Sequence, residues 1–218
     1  MGILTILKYL MIIILPFLIL ILALNLAGFD DFFYTEKFSE YGISQNVPNA
    51  GQLHRSVMDF LKGDSSQLPD DFNSREKQHL LDVKNLIRIS TIVLYFLVAL
   101  FVALLLVSSF TLKVNNAITN FVGKVLVFGG ILTLALASAL FLLVNSDFEG
   151  TFGSFHELFF RSGTYSFDPA REVIVNLYPE KLFMDLGLRI SIWAVSAAAI
   201  VILLGSYFMF RPKSKKNK

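Results

Sequence analysis

The sequence predicts an all-α membrane protein: four transmembrane helices, both termini cytoplasmic, and two extracytoplasmic loops forming a small, partly helical cap. Three observations lead there. Hydrophobic residues make up 55% of the 218 positions and charged residues 17%, with the apolar ones gathered into long blocks. Four blocks, 9–28, 89–110, 125–144 and 190–210, carry no charge and each holds about the ~20 residues that cross a ~30 Å hydrocarbon layer as a helix. Finally, the charges segregate by sign along the chain. The stretches 1–8, 111–124 and 211–218 contain Lys8, Lys113, Lys124, Arg211, Lys213, Lys215, Lys216 and Lys218 and no acid. The positive-inside rule puts them in the cytoplasm and assigns all 17 acidic residues to the outer segments 29–88 and 145–189.

The whole chain, 1–218, reads as one integral membrane domain. In the first block Pro16 introduces a kink. Lys8 before the block and Ala27–Gly28 after it also suit a signal peptide, but the run is long and lacks a small-x-small cleavage pattern, so it is read as a span. The basic tail follows from topology and anionic inner-leaflet lipid, and no nucleic-acid partner is expected. With no cysteine, thiolate chemistry and disulfides are excluded. No span contains an ionisable residue, which argues against a proton- or ion-coupled transporter.

The expected function therefore lies at the outer surface, where all three histidines fall. In the first outer loop, QLHRSVMDFLKG predicts a helix with Leu53, Val57, Phe60 and Leu61 on one face and Gly63 at its end. His54, beside Arg55 on that helix, reads as a surface histidine. After the breaker DSSQLPDD, Asn73 and Glu76 form a capping box that starts a helix running without interruption into the second span. His79 and Asp82 share a face of this helix, so the carboxylate can orient or charge-tune the imidazole. A solvated histidine with an ordinary neighbour is the plainer reading of that pair.

The second outer loop concentrates aromatic residues, among them Phe152, Phe155, Phe159, Phe160, Phe167 and Tyr165, around His156. They either pack as a small core, dip into the interface or line an acyl-chain groove, for which Phe155, Phe159 and Phe160 are the candidates. RSGTYSFDP reads as a turn, with Asp168 before Pro169. His79, Asp82 and His156 would make a zinc set only by coincidence of folding, because no metal-site spacing is present, and no metal or other cofactor is expected. Ser154 and Ser162 lack a nucleophile-elbow motif. Acid–base chemistry on a lipid ester by two imidazoles requires the least additional machinery.

The pieces FLKG, FNSREKQHLLDVK, FHELFF, FDP and LYPEKLFMD resemble, in order and spacing over nearly the whole chain, the bacterial lipoprotein intramolecular transacylase family. HLLDVK and FHELFF are the most specific pieces. Two positions depart from that pattern: Gly163, Thr164 and Tyr165 stand where a tryptophan is common, and Arg161 where a proline is common.

The resemblance implies a membrane acyltransferase that moves the sn-2 acyl chain of a diacylglyceryl-modified N-terminal cysteine onto that cysteine's α-amino group. Its partners would be a diacylated lipoprotein and membrane lipid, and a monomer is the expected state. The resemblance implies catalysis by His79 and His156. Asp82 and Asp168 are candidates to support or orient them, and Arg75, Lys84, Arg161 and Arg171 to contact a lipid headgroup or oxyanion. His79 as general base, oriented by Asp82, with His156 polarising the ester, is one assignment; the reverse is the other. An α-amino group titrates near ~7.7–8.0 and imidazole near ~6.5, so moving the proton between them costs only about 2 kcal/mol. The nucleophile and the ester belong to one molecule, which removes up to ~7–11 kcal/mol of positioning cost. The rival readings are a non-enzymatic protein whose outer cap binds lipid or a partner, and a lipid ester hydrolase.

Overall fold

The computed structural model describes residues 2–112, 115–160 and 163–211, with the side chain of Asn115 excepted. Among these residues there are nine helices and no strand: α1 (Ile3–Gly28), α2 (Asp31–Glu40), α3 (Ile43–Asn46), α4 (Ala50–Lys62), α5 (Ser74–Leu112), α6 (Asn115–Ser146), α7 (Phe148–Phe159), α8 (Val173–Leu177) and α9 (Glu180–Phe210). Four of them, α1, α5, α6 and α9, are long and apolar enough to cross a membrane. Each contains one of the four apolar blocks and extends beyond it. The chain divides into two compact units: residues 1–24, 92–141 and 190–218 in one, and 25–91 and 142–189 in the other.

The first unit consists of spanning helices. Their exposed faces carry Ile13, Phe17, Tyr95, Phe96, Leu203 and Phe210, the side chains expected to meet acyl chains. Glycines let the helices approach backbone to backbone. A Cβ placed on Gly205 would lie 2.8 Å from the Gly123 carbonyl oxygen, and one on Gly129 would lie 2.7 Å from Leu15 Cδ2. Leu7, Met11, Phe121 and Val125 form a buried cluster at one end. Hydroxyls inside the apolar layer return their protons to their own helices: Thr133 Oγ1 donates to the Gly129 carbonyl at 2.8 Å and Ser108 Oγ to that of Leu104 at 2.8 Å.

The second unit is built around α2, α4, α7, α8 and the ends of the long helices. The predicted α4 is present, stopped by Gly63 at φ 95°. Its buried stripe is wider than the predicted one, comprising Ala50, Leu53, His54, Val57, Met58 and Phe60. His54 is therefore not on the surface, correcting the expectation. Its Nδ1 lies 2.9 Å from the Tyr178 hydroxyl, and its ring packs 4.4 Å from that of Tyr34. Burial pushes its pKa down to about 4.

The capping box at the start of α5 forms as expected. Asn73 Oδ1 accepts from the Arg75 and Glu76 amides at 2.8 and 3.0 Å, while Glu76 Oε2 accepts from the Asn73 amide at 2.7 Å. Glu76 Oε1 accepts in addition from the Ile174 amide at 2.7 Å, so one carboxylate caps both α5 and the short α8. Farther round, Arg189 pairs with Asp30, and Asp185 accepts from Tyr41 and from Lys37.

Candidate active site

His79 and His156 come together in the second unit. His79 sits in the second turn of α5, on the buried stripe of Glu76, His79 and Leu80. His156 is the one buried residue of α7, a helix whose N-cap, Asp147, accepts from the Gly150 amide. The two rings are nearly parallel, 21° apart in plane and 6.2 Å apart at their centroids. Phe160 touches both, at 4.9 Å from His79 and 5.4 Å from His156. Phe167 closes on His79 at 5.3 Å, and Phe152 and Tyr165 close on His156 at 4.2 and 5.1 Å.

The two imidazoles differ in their hydrogen bonding. His156 Nδ1 lies 2.7 Å from the Phe152 carbonyl oxygen, which can only accept. Nδ1 therefore carries the proton and Nε2 keeps the lone pair. His79 Nδ1 is sealed from solvent with no hydrogen-bond partner among the described residues. A buried lone pair without a donor costs less than a buried N–H without an acceptor, so the favoured tautomer has its proton on Nε2. Burial, then the neighbouring His156, pushes the His79 pKa down to about 4. At neutral pH His79 is thus a neutral hydrogen-bond donor.

The candidate supporting residues are mostly engaged elsewhere. Asp82 accepts from the Gln78 amide at 3.2 Å, and no hydrogen bond joins it to His79. Its influence on the imidazole is through space, opposing the downward shift. Asp168 accepts from the Ala170 amide at 2.9 Å and lies 3.7 Å from Arg171, so it stabilises its own turn instead of orienting His156. Arg75 forms a two-pronged pair with Glu172, at 2.9 and 2.5 Å, and its guanidinium lies 5.1 Å from the Phe167 ring. That pairing engages Nε and Nη2 of Arg75, two of the three nitrogens proposed for a headgroup. Lys84 reaches the Ser65 carbonyl at 3.4 Å and the Phe60 ring at 4.1 Å, and Arg171 is exposed. Arg161 and Ser162 lie outside the described residues, and Ser154 is exposed. Among the described residues no three His, Asp or Glu side chains converge, so the set His79, Asp82 and His156 does not assemble as a ligand group.

Glu172 is the residue that sequence reasoning missed. Besides Arg75, it accepts from the Asp168 amide at 2.6 Å and from Asn73 Nδ2 at 3.3 Å. The Arg75 guanidinium and hydrogen bonds hold its pKa below the usual carboxylate range, so it is ionised at neutral pH. It ties the segment carrying Tyr165 and Phe167 to the first turn of α5, one turn from His79. The acyl-groove candidates divide. Phe160 stands between the histidines, whereas Phe155 and Phe159 are 43% and 49% exposed and, with Leu158 at 75%, give α7 an apolar outer face.

Known proteins share this fold. A structure of the membrane-integral lipoprotein intramolecular transacylase Lit from Bacillus cereus superposes with a TM-score of 0.82 at 22% identity, covering 94% of each chain. Two variants of that protein, with a histidine replaced by alanine or by arginine, superpose with TM-scores of 0.77 and 0.76 at 21% identity. They cover 94% of this chain and 92% and 91% of theirs. These likenesses establish the four-span helical fold. A search of curated protein sequences returned no match. The family model described as lipoprotein intramolecular transacylase Lit matches residues 9–183, well over half of the chain. The chain therefore belongs to the lipoprotein intramolecular transacylase family, as a multi-pass membrane acyltransferase.

Proposed function

We propose that the protein moves the sn-2 acyl chain of a diacylglyceryl-modified N-terminal cysteine onto the same cysteine's α-amino group at the extracytoplasmic surface, through His79 and His156. The observation that carries this reading is the pair of near-parallel imidazoles, 6.2 Å apart on separate helices, with the Phe152 carbonyl fixing the His156 proton on Nδ1. The α-amine reacts in its neutral form, and His156 Nε2, left with the lone pair because Nδ1 donates to the Phe152 carbonyl, takes one of the amine's two protons as the C–N bond forms. The amine attacks the ester carbonyl, whose developing oxyanion accepts from His79 Nε2–H. As the tetrahedral intermediate collapses, the C–O bond breaks and His156 returns its proton to the glycerol oxygen. One ester bond is exchanged for one amide bond and no mass is lost.

This is the reverse of the assignment with His79 as base. A buried imidazole with its pKa near 4 is a poor base for an amine but, being neutral, a suitable donor to an oxyanion. Charge on His156 disfavours charge on His79, which favours the neutral donor role for His79.

Mass spectrometry of the N-terminal lipopeptide from a lipoprotein co-expressed with this protein tests the reading. The expected product has unchanged total mass and an acyl chain on the amine, and His79→Ala and His156→Ala each abolish it. Release of free fatty acid would indicate a hydrolase, and identical lipopeptides with and without the protein would indicate a binding role. The two histidines separate through glutamine: His79→Gln retains an N–H donor and keeps part of the activity, whereas His156→Gln loses the base, a loss of about 10²–10⁴-fold.

A further inference from the structure

Where α1 begins, α6 begins and α9 ends, the first unit lines an open cavity of about 560 Å³. Lys8 from α1, Lys124 from α6 and Arg211 just past α9 converge on it. No acidic residue lines it, and no ion pair among the described residues involves any of the three. The other polar side chains are neutral: Thr5, Asn116, Thr119 and Asn120. Asn116 and Ala117 belong to the first turn of α6, whose backbone amides lack intrahelical partners and present the positive end of a long helix dipole.

Three like charges around one cavity repel unless an anion sits among them. The packing keeps two of them from moving apart. Gly123 and Gly205 bring α6 and α9 into backbone contact, and a Cβ on Gly123 would meet Met209 Cγ at 2.7 Å. Lys124 follows directly on Gly123, and Arg211 stands less than two turns beyond Gly205. The cavity is two-sided in character, since Phe121, Phe208 and Met209 also line it.

We propose that this cavity binds a phosphate-bearing anion, and that the occupant is the headgroup of an anionic membrane lipid. The cations, the amides and the helix N-terminus suit the phosphate. The apolar wall, on helices that span the membrane, suits the glycerol and first acyl carbons, which free phosphate lacks. The positive-inside rule assigns this end to the cytoplasm, away from the ester chemistry proposed above. The inference therefore stands or falls separately from that chemistry.

Native mass spectrometry of the purified, delipidated full chain tests it, with phosphatidylglycerol, phosphatidylcholine and inorganic phosphate as probes. The expected result is one phosphatidylglycerol per chain, bound about tenfold or more tighter than phosphatidylcholine and not displaced by millimolar phosphate. The double variant Lys124→Gln/Arg211→Gln should lose that preference. Because removing basic residues can disturb insertion, Asn120→Trp provides a second variant that fills the cavity with every charge retained. It should weaken phosphatidylglycerol binding about tenfold as well. Undiminished binding in Asn120→Trp, or equal binding of the two lipids by the unmodified chain, would overturn the site. Displacement by millimolar phosphate would overturn the lipid as its occupant.

Discussion

Glu76→Ala should remove two backbone caps with one substitution. Glu76 is 1% exposed, and its two oxygens hold the Asn73 amide at the start of α5 and the Ile174 amide at the start of α8, each at 2.7 Å. Hydrogen bonds to a charged acceptor are each worth about 1.5–3 kcal/mol, and Ile174, itself buried, has no water to turn to. The Asn73 amide lies at an exposed helix terminus, where losing a cap costs about 0.5–2 kcal/mol. Together the loss should be about 2–5 kcal/mol, expressed in the second unit. Glu76→Gln keeps one acceptor oxygen and should recover about half of it. Thermal unfolding in a neutral detergent reads the total, and hydrogen exchange over 173–177 reads the location. The shared carboxylate would be refuted by Glu76→Ala melting like the unmodified protein while the Ile174 amide kept its protection.

Further outcomes follow from burial and packing. His54 and His79 both have pKa values lowered to about 4, so between about pH 6.5 and 4 the unfolded chain binds more protons than the folded one. Stability should fall as pH drops through that window, by up to about 3 kcal/mol per histidine, and His54→Phe should flatten the pH dependence of melting. Equal slopes in the two proteins would count against the buried assignment. Gly205→Leu would drive side-chain atoms into the Gly123 carbonyl, 2.8 Å from the Cβ position, and should cost several kcal/mol, read as lost folded yield. Gly153→Ala has nothing within 4 Å of its Cβ and should stabilise α7 by up to about 1 kcal/mol, measured by melting. Glu172→Gln should slow transfer more than it lowers the melting temperature, since its partners position the aromatic wall at His79; equal effects would make it merely structural.

What the sequence made legible was local. Asn73 and Glu76 are three residues apart, so their mutual caps were readable, as was Gly63 ending α4. The spans followed from uninterrupted hydrophobicity, and the histidine pair from the family resemblance of HLLDVK and FHELFF. The rest depended on contacts between segments far apart. Glu172 meets Arg75 at a separation of 97 positions, with no periodicity to announce it. Its one local signal is an acid placed just after the Asp168–Pro169 turn and ahead of an apolar run. His54 looked exposed beside Arg55, and only the wide stripe of α4 packing against Tyr34 and Tyr178 buries it. Asp82 is three residues from His79, but the side-chain amide of Gln78 claims its carboxylate, and the backbone amide of Ala170 claims that of Asp168. Proximity in sequence ranks partners well only when no other donor competes.

Under the proposed function, the exposed apolar face of α7, with Phe155, Leu158 and Phe159, suits contact with the bilayer on one side of the helix carrying His156. A substrate anchored by its own acyl chains then reaches the site by moving in two dimensions. The concentration that governs turnover is molecules per unit area of membrane. Adding inert lipid at fixed protein and substrate should slow the reaction by surface dilution, even though nothing in the aqueous volume has changed.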